Sequence, residues 1–141
     1  MALKVTKAEL WSVAIDDRAG GAAEKIEPLA KAGANFEFVF ARRTPEQPGK
    51  GVVFVSPVKG KKVVQAATAA GWEKPANMHS VRAEGNDKPG GGAQLMRALA
   101  GAGISFRAVS ATVVGRKFVC YVALDTAEDA AKATSLLRKA G

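Results

Sequence analysis

The chain has one cysteine, Cys120, and one histidine, His79, in 141 residues. A lone cysteine excludes an intrachain disulfide framework and any cysteine-rich metal site. His79 has no second histidine, paired cysteine or acid at ligand spacing, which argues against zinc and favours a polar surface or edge residue. Few parts remain for nucleophilic or acid–base chemistry, so the chain is expected not to be an enzyme, and no cofactor is implied. No apolar run approaches the roughly 20 residues of a membrane span. The start, Met1 to Lys7, has no apolar core of secretory length. The expectation is a cytoplasmic protein without a membrane partner.

What is present is an apolar content of 48% and an excess of positive charge, 21 Lys+Arg against 13 Asp+Glu. That apolar content excludes a disordered chain, because enough surface can be buried to offset the entropy of ordering. The net charge of +8 invites a nucleic-acid reading, since Lys and Arg neutralise phosphates. The distribution speaks against it. Residues 1–75 hold 12 basic and 8 acidic side chains, residues 76–141 hold 9 and 5, and neither half has a basic tail. The densest clusters, Arg42-Arg43 and Lys59-Gly60-Lys61-Lys62, are short enough to be solvated surface.

The chain repeats itself. A shift of 70 residues lays 17–41 onto 87–111 with 11 identities in 25 ungapped positions. Shared alanines follow from composition, but the matched Asp17/Asp87, Gly20/Gly90, Gly21/Gly91, Gly33/Gly103 and Phe36/Phe106 do not. Ala70-Gly71 falls on Ala140-Gly141 in the same frame.

Each copy reads as strand, helix, strand, strand, helix. A half-apolar stretch (Leu10 to Ile15; Met78 to Ala83) meets a glycine-rich turn, where Asp17 and Asp87 are candidate helix caps. The helix follows from apolar positions at three-to-four spacing: Ala22, Ala23, Ile26, Leu29 and Ala30, then Ala93, Met96, Leu99 and Ala100. Gly33 and Gly103 suit the left-handed residue that closes a helix. Next, the alternation of Phe36, Phe38 and Phe40 predicts a strand with three rings on one face. Two more strands are Val52–Val55 and Phe118–Val122, and Cys120 within the second reads as a small buried hydrophobe. Asp125 three residues before Glu128 predicts a capping box for the last helix. Trp11 and Trp72 read as core or interface anchors.

A unit of this kind needs a fourth strand. Trp72–Pro75 supplies a short one for the first copy, with Pro75 confining it to an edge. The second copy has none after its last helix, but Ala2–Val5 aligns with Trp72–Pro75 in the repeat frame. Ala2–Val5 is therefore expected to complete the second sheet or to pair across the copies. The modules are 2–71 and 72–141, with segments 2–5 and 72–75 open to permutation or exchange.

The run Asp87-Lys88-Pro89-Gly90-Gly91, a helix with Leu99-Ala100 late in it, and Gly103-Ile104-Ser105 resembles the ACT domain family, whose pattern is Asp, a Pro-Gly step, a helix and Gly-Ile-Asn. The likeness covers the whole chain as a tandem pair. It implies an α+β fold of two ferredoxin-like βαββαβ modules with antiparallel sheets side by side. It also implies binding of an amino acid or related metabolite, allosteric regulation of a separate partner protein, and a second copy of the chain as a candidate dimer partner. The family's ligand sits near the loop before the first helix and the start of the second strand. Carried over, the ligand residues are Asp17, Arg18, Gly20, Gly21 and Asn35 in the first copy, and Asp87, Lys88, Pro89, Gly90, Gly91, Ile104 and Ser105 in the second. The helix N-terminus would favour a carboxylate, and Asn35 or Ser105 would meet the ligand's polar end. The first copy departs from the pattern at Ala19 and Ala34, the second at Ser105. One composite site is then as open a reading as two equivalent ones.

Two other readings share the strand order. An RNA-binding module would need two exposed rings on its third strand. Lys50-Gly51-Val52-Val53-Phe54 lacks the first ring, and Lys117-Phe118-Val119-Cys120 lacks the glycine and the second ring, so nucleic acid is disfavoured. A purely structural interaction module is the other.

Overall fold

The computed structural model describes residues 3–139. Ala2, the first residue of the segment expected to complete the second sheet, lies outside them, as does the Ala140-Gly141 pair. The elements in chain order are β1 (Lys4–Ala8), β2 (Trp11–Asp16), α1 (Gly21–Lys31), β3 (Phe38–Arg43), β4 (Lys50–Ser56), α2 (Lys61–Ala69), β5 (His79–Asn86), α3 (Gly91–Gly101), β6 (Ala108–Val114), β7 (Lys117–Leu124) and α4 (Ala127–Lys139). The fold is α+β, with two antiparallel sheets ordered β2-β4-β3 and β1-β5-β7-β6.

The chain divides into two compact units, Glu9–Pro75 and a second formed by β1 with the chain from Ala76 onward. The boundary drawn by contacts differs from the repeat frame at the N-terminus. β1 pairs antiparallel with β5 from Lys4↔Glu84 to Ala8↔Ser80, and so supplies the second sheet's fourth strand from the far end of the chain. Its Val5 joins the core of that unit, and the Arg138 guanidinium of α4 donates to the Val5 carbonyl at 3.1 Å. In the first unit the counterpart stays local and short. Ser12 and Glu73 form a single bridge, with N–H···O distances of 2.8 and 3.0 Å, before Pro75 ends the pairing.

Each unit has its own core. In the Glu9–Pro75 unit, Trp11, Val13, Leu29, Val53, Val55, Ala67 and Trp72 are buried together. Trp72 is fixed further by donating its indole N–H to the Lys25 carbonyl at 2.9 Å. In the other unit Val81, Ala83, Leu95, Leu99, Cys120, Val122, Leu124, Ala133 and Leu137 form the core with Val5 and Ile104.

Helices α1 and α3 close as their glycines require. Gly33 (φ 100°) and Gly103 (φ 72°) are left-handed, and the next residues, Ala34 and Ile104, donate back to Leu29 and Leu99 at 3.0 Å. The starts differ from expectation. Neither Asp17 nor Asp87 caps a helix: the residue before each helix is a left-handed glycine, Gly20 or Gly90, without a side-chain cap. In α4 the cap is Thr126, whose Oγ1 accepts from the Asp129 N–H at 3.0 Å, while Asp125 pairs with Arg107 at 2.9 Å.

The three phenylalanines do not share a face. β3 begins at Phe38, and Phe36, ahead of the ladder, packs against the core. Phe40 stands opposite Phe54, on the face away from the buried Val53 and Val55, and is 45% exposed. Strand periodicity holds only inside the paired segment.

Candidate functional site

The turn from β2 into α1 is built around one close approach. A Cβ placed on Gly21 would lie 2.2 Å from the Asp16 carbonyl oxygen, so only glycine lets the helix start against that strand end. Gly20 supplies the left-handed step before it, and the Gly21 N–H donates to the Arg18 carbonyl at 3.0 Å. With no side chain capping α1, the first helical N–H groups face outward with the positive end of the helix dipole.

Beside this turn lies a cavity of about 280 Å³, lined by Ile15, Asp16, Asp17, Arg18, Gly20, Ala22, Ala23, Ala41, Arg42, Arg43 and Gly51. Its floor is apolar because Ile15 stands opposite Gly51, which adds no side chain. The Gly51 position is tight as well, since a Cβ there would meet the Arg42 carbonyl oxygen at 2.8 Å. Charged groups ring the rim in pairs. Arg43 Nε donates to Asp17 Oδ2 at 2.8 Å, Lys50 Nζ to Asp16 Oδ1 at 2.7 Å, and Arg18 to the Glu24 carboxylate. The Lys50 hydrogen bond and charge hold the Asp16 carboxyl below its ordinary value, and Glu24 raises Arg18. Arg42 stands opposite Val52, on the sheet face that Phe40 occupies. Its Nη1 donates to the Arg43 carbonyl at 3.0 Å, and among the described residues no carboxylate pairs with it.

The equivalent corner of the other unit is closed. Leu3, Asn86, Lys88, Gly91, Gln94, Leu95 and Phe118 leave only about 20 Å³. Phe118 stands opposite Gly85 where Gly51 stands opposite Ile15, so the bulk has moved to the other strand. Leu3 fills the space over Gly85, its Cδ2 only 2.6 Å from where a Cβ would be. Val113, opposite Phe118, takes the place that Arg43 holds opposite Gly51.

Of the residues singled out from sequence, Asp17, Arg18 and Gly20 line one cavity and Gly21 fixes its wall; Lys88 and Gly91 line the small one. Asp87, Pro89, Gly90, Asn35 and Ser105 line neither, and Ile104 is buried in the core. Sequence reasoning missed Asp16, Arg42, Arg43 and Lys50, which reach the turn through sheet pairing. The adjacent Arg42-Arg43 on a strand was the available signal. Cys120 is buried, which pushes its thiol up to about 11 and leaves it unreactive. Among the described residues no group of three or more His, Cys, Asp or Glu could hold a metal, and no helix is long and apolar enough to cross a membrane.

Neither a family model nor a curated protein sequence matches the chain. Solved structures do. A protein of Bacteroides thetaiotaomicron superposes with a TM-score of 0.76 at 14% identity, over 93% of this chain and 88% of that one. The regulatory subunit of aspartate kinase from Thermus thermophilus, in its ligand-free form, has a TM-score of 0.66 at 16% identity, over 99% and 97%. That from Thermus flavus has a TM-score of 0.62 at 18% identity, over the same shares. At these identities the likeness is one of fold, and it spans both units: the chain has the α+β fold seen in those two aspartate kinase regulatory subunits.

Proposed function

We propose that the protein is a regulatory module that binds a small carboxylate metabolite, an amino acid or close relative, and passes its occupancy to a separate partner protein. The observation that carries this reading is the cavity at the uncapped start of α1, with the Arg43 guanidinium on its rim and Ile15, Ala41 and Gly51 beneath. A carboxylate would sit between the Arg43 guanidinium, shared with Asp17, and the helix N–H groups, while a small apolar side chain would lie on the floor. About 280 Å³ lies just under the usual range for drug-sized ligands and suits an amino acid. The aspartate kinase regulatory subunits of like fold support the regulatory half of the reading. Asp17, Arg18, Gly20 and Gly21 belong to this site, and the corner at Lys88 to Gly91 does not bind in the same way.

The mechanism is a population shift. The ligand favours whichever arrangement of the turn places Arg43 and the helix start together, by the difference of its affinities for the two. Thermal-shift screening against the twenty amino acids and their keto acids tests it. A ligand at about 100 times its dissociation constant adds ~2.7 kcal/mol. Arg43→Ala should weaken that ligand at least tenfold and Lys88→Ala should leave it unchanged. No stabilising ligand, or one insensitive to Arg43, overturns the reading.

A further inference from the structure

Arg43 is the cation that meets the ligand in the reading above, and packing does little to hold it. Its side chain is 81% exposed, against 34% for the Asp17 side chain with which it pairs. Asp17 is the anchored member of the pair: its N–H donates to the Gly49 carbonyl at 2.9 Å and ties the turn before α1 to the loop between β3 and β4. The bond between the side chains runs from Arg43 Nε to Asp17 Oδ2 at 2.8 Å. With Nε engaged, the two terminal nitrogens form a fork, the shape in which a guanidinium takes a carboxylate through two parallel hydrogen bonds. The second unit keeps the anchor without the pair. There Asp87 donates its N–H to the Arg116 carbonyl at 2.8 Å, but Val113 stands where Arg43 does.

We propose that Asp17 is the positioning residue of this site: it touches no ligand atom itself, and it holds the Arg43 guanidinium at the cavity so that the terminal nitrogens face the ligand's carboxylate. The inference rests on the reading above, in which the cavity takes a carboxylate through Arg43. Two effects of Asp17 oppose each other, and their sizes decide the sign. A free arginine loses up to about thirtyfold in affinity when its rotamers must be fixed on binding, and a bond already made to Asp17 removes part of that cost in advance. Against this, the Asp17 charge repels an incoming carboxylate and its ion pair competes for the guanidinium. Exposure to solvent keeps that opposition to about fivefold at most, so the net effect of Asp17 is to tighten binding. The two effects also separate chemically. Asn at position 17 keeps an oxygen that accepts from Arg43 Nε and loses the charge, whereas Ala loses both.

Calorimetric titration of the full chain tests this, with each amino acid or α-keto acid that raises the wild-type melting temperature as the probe. Asp17→Ala should bind the probe about fivefold more weakly than wild type, Asp17→Asn equally or more tightly, and Asp87→Ala without change. The Asp17 bond to Gly49 is made by the main chain, so both substitutions at 17 keep it and should melt with the wild type. In an Arg43→Ala background, Asp17→Ala should cost no further affinity, since no guanidinium is left to place, whereas damage to the turn would still show there. Asp17→Ala binding as well as wild type, Asp17→Asn as weak as Asp17→Ala, or a loss that persists without Arg43 overturns the proposal. If such a result comes with a probe that still depends on Arg43, the carboxylate reading stands and only the role of Asp17 falls. A panel in which nothing binds the wild type overturns both.

Discussion

The two helix starts share a backbone and differ in what surrounds it. Before α1 and before α3 the chain makes the same left-handed glycine step, at φ 86° in Gly20 and 80° in Gly90, with no side-chain cap. Around the first, Ile15 and Gly51 are paired and Arg43 stands beside them; around the second, Gly85 and Phe118 are paired, with Val113 and Leu3. The first corner keeps about 280 Å³ open and the second about 20 Å³. A duplicated turn therefore does not make a duplicated site. Which strand carries the bulk, and which segment lies over the glycine, decides whether the corner can take a guest.

The strongest way to break this comparison is to put a methyl group on each helix start. Gly21→Ala drives a Cβ into backbone, 2.2 Å from the Asp16 oxygen, and should cost about 3 kcal/mol. Gly91→Ala meets only the Lys88 Cγ at 3.9 Å and should change stability by about 0.5 kcal/mol or less, with either sign. Urea denaturation of the two variants checks the gap; equal costs would mean that the two corners are alike after all.

The plug over the second corner comes next. Leu3→Ala should cost about 1–2 kcal/mol from lost packing on Phe118 and its neighbours. Gly85→Ala should cost a similar ~1 kcal/mol, less than Gly21→Ala, because the atom it meets is the end of a flexible side chain. The double variant should recover part of the sum, and a double-mutant cycle on thermal unfolding measures it. Strict additivity would show that Leu3 does not sit over Gly85.

Smaller still is the ring of ion pairs. Arg43→Val copies the second corner's Val113 into the first; the Asp17–Arg43 pair is exposed, so stability should move by under ~0.5 kcal/mol. The smallest effect is in acid. Asp16 has a lowered folded-state value, so the stability from its pairing with Lys50 is complete above the ordinary 3.8 and is lost as pH falls through the lower value. Lys50→Met should therefore melt slightly below the wild type near neutrality, with the difference closing at pH values under 3.8. A difference that persists at low pH would assign it to packing.

Much of the backbone was legible from the sequence because its signals are local. Glycines at Gly33 and Gly103, helix spacing through Leu29 and Leu99, and the β-branched and aromatic runs Val52–Val55 and Phe118–Val122 each act within a few residues. The alignment of Ala2–Val5 with Trp72–Pro75 pointed to a strand at the N-terminus, and of its described residues Lys4 and Val5 pair in the second sheet while Leu3 precedes the strand. The failures are instructive. Asp17 was legible as a cap and is instead the partner of Arg43, a residue brought to it by the β3–β4–β2 ladder. Asp125 likewise serves Arg107, and Thr126 takes the cap. Phe36 was read with Phe38 and Phe40 because periodicity cannot say where hydrogen bonding begins.

The sequence by itself determined the duplication, the element order of each copy and the helix-start turns, since repeats, periodicity and glycine conformation are properties of the chain. Only the tertiary structure decided that β1 closes the sheet of the distant copy, that the corner at Gly21 is open, and that the one at Gly91 is filled. Those outcomes depend on which residues stand opposite one another across a ladder. Register joins Ile15 to Gly51 and Gly85 to Phe118 over separations that no local pattern spans.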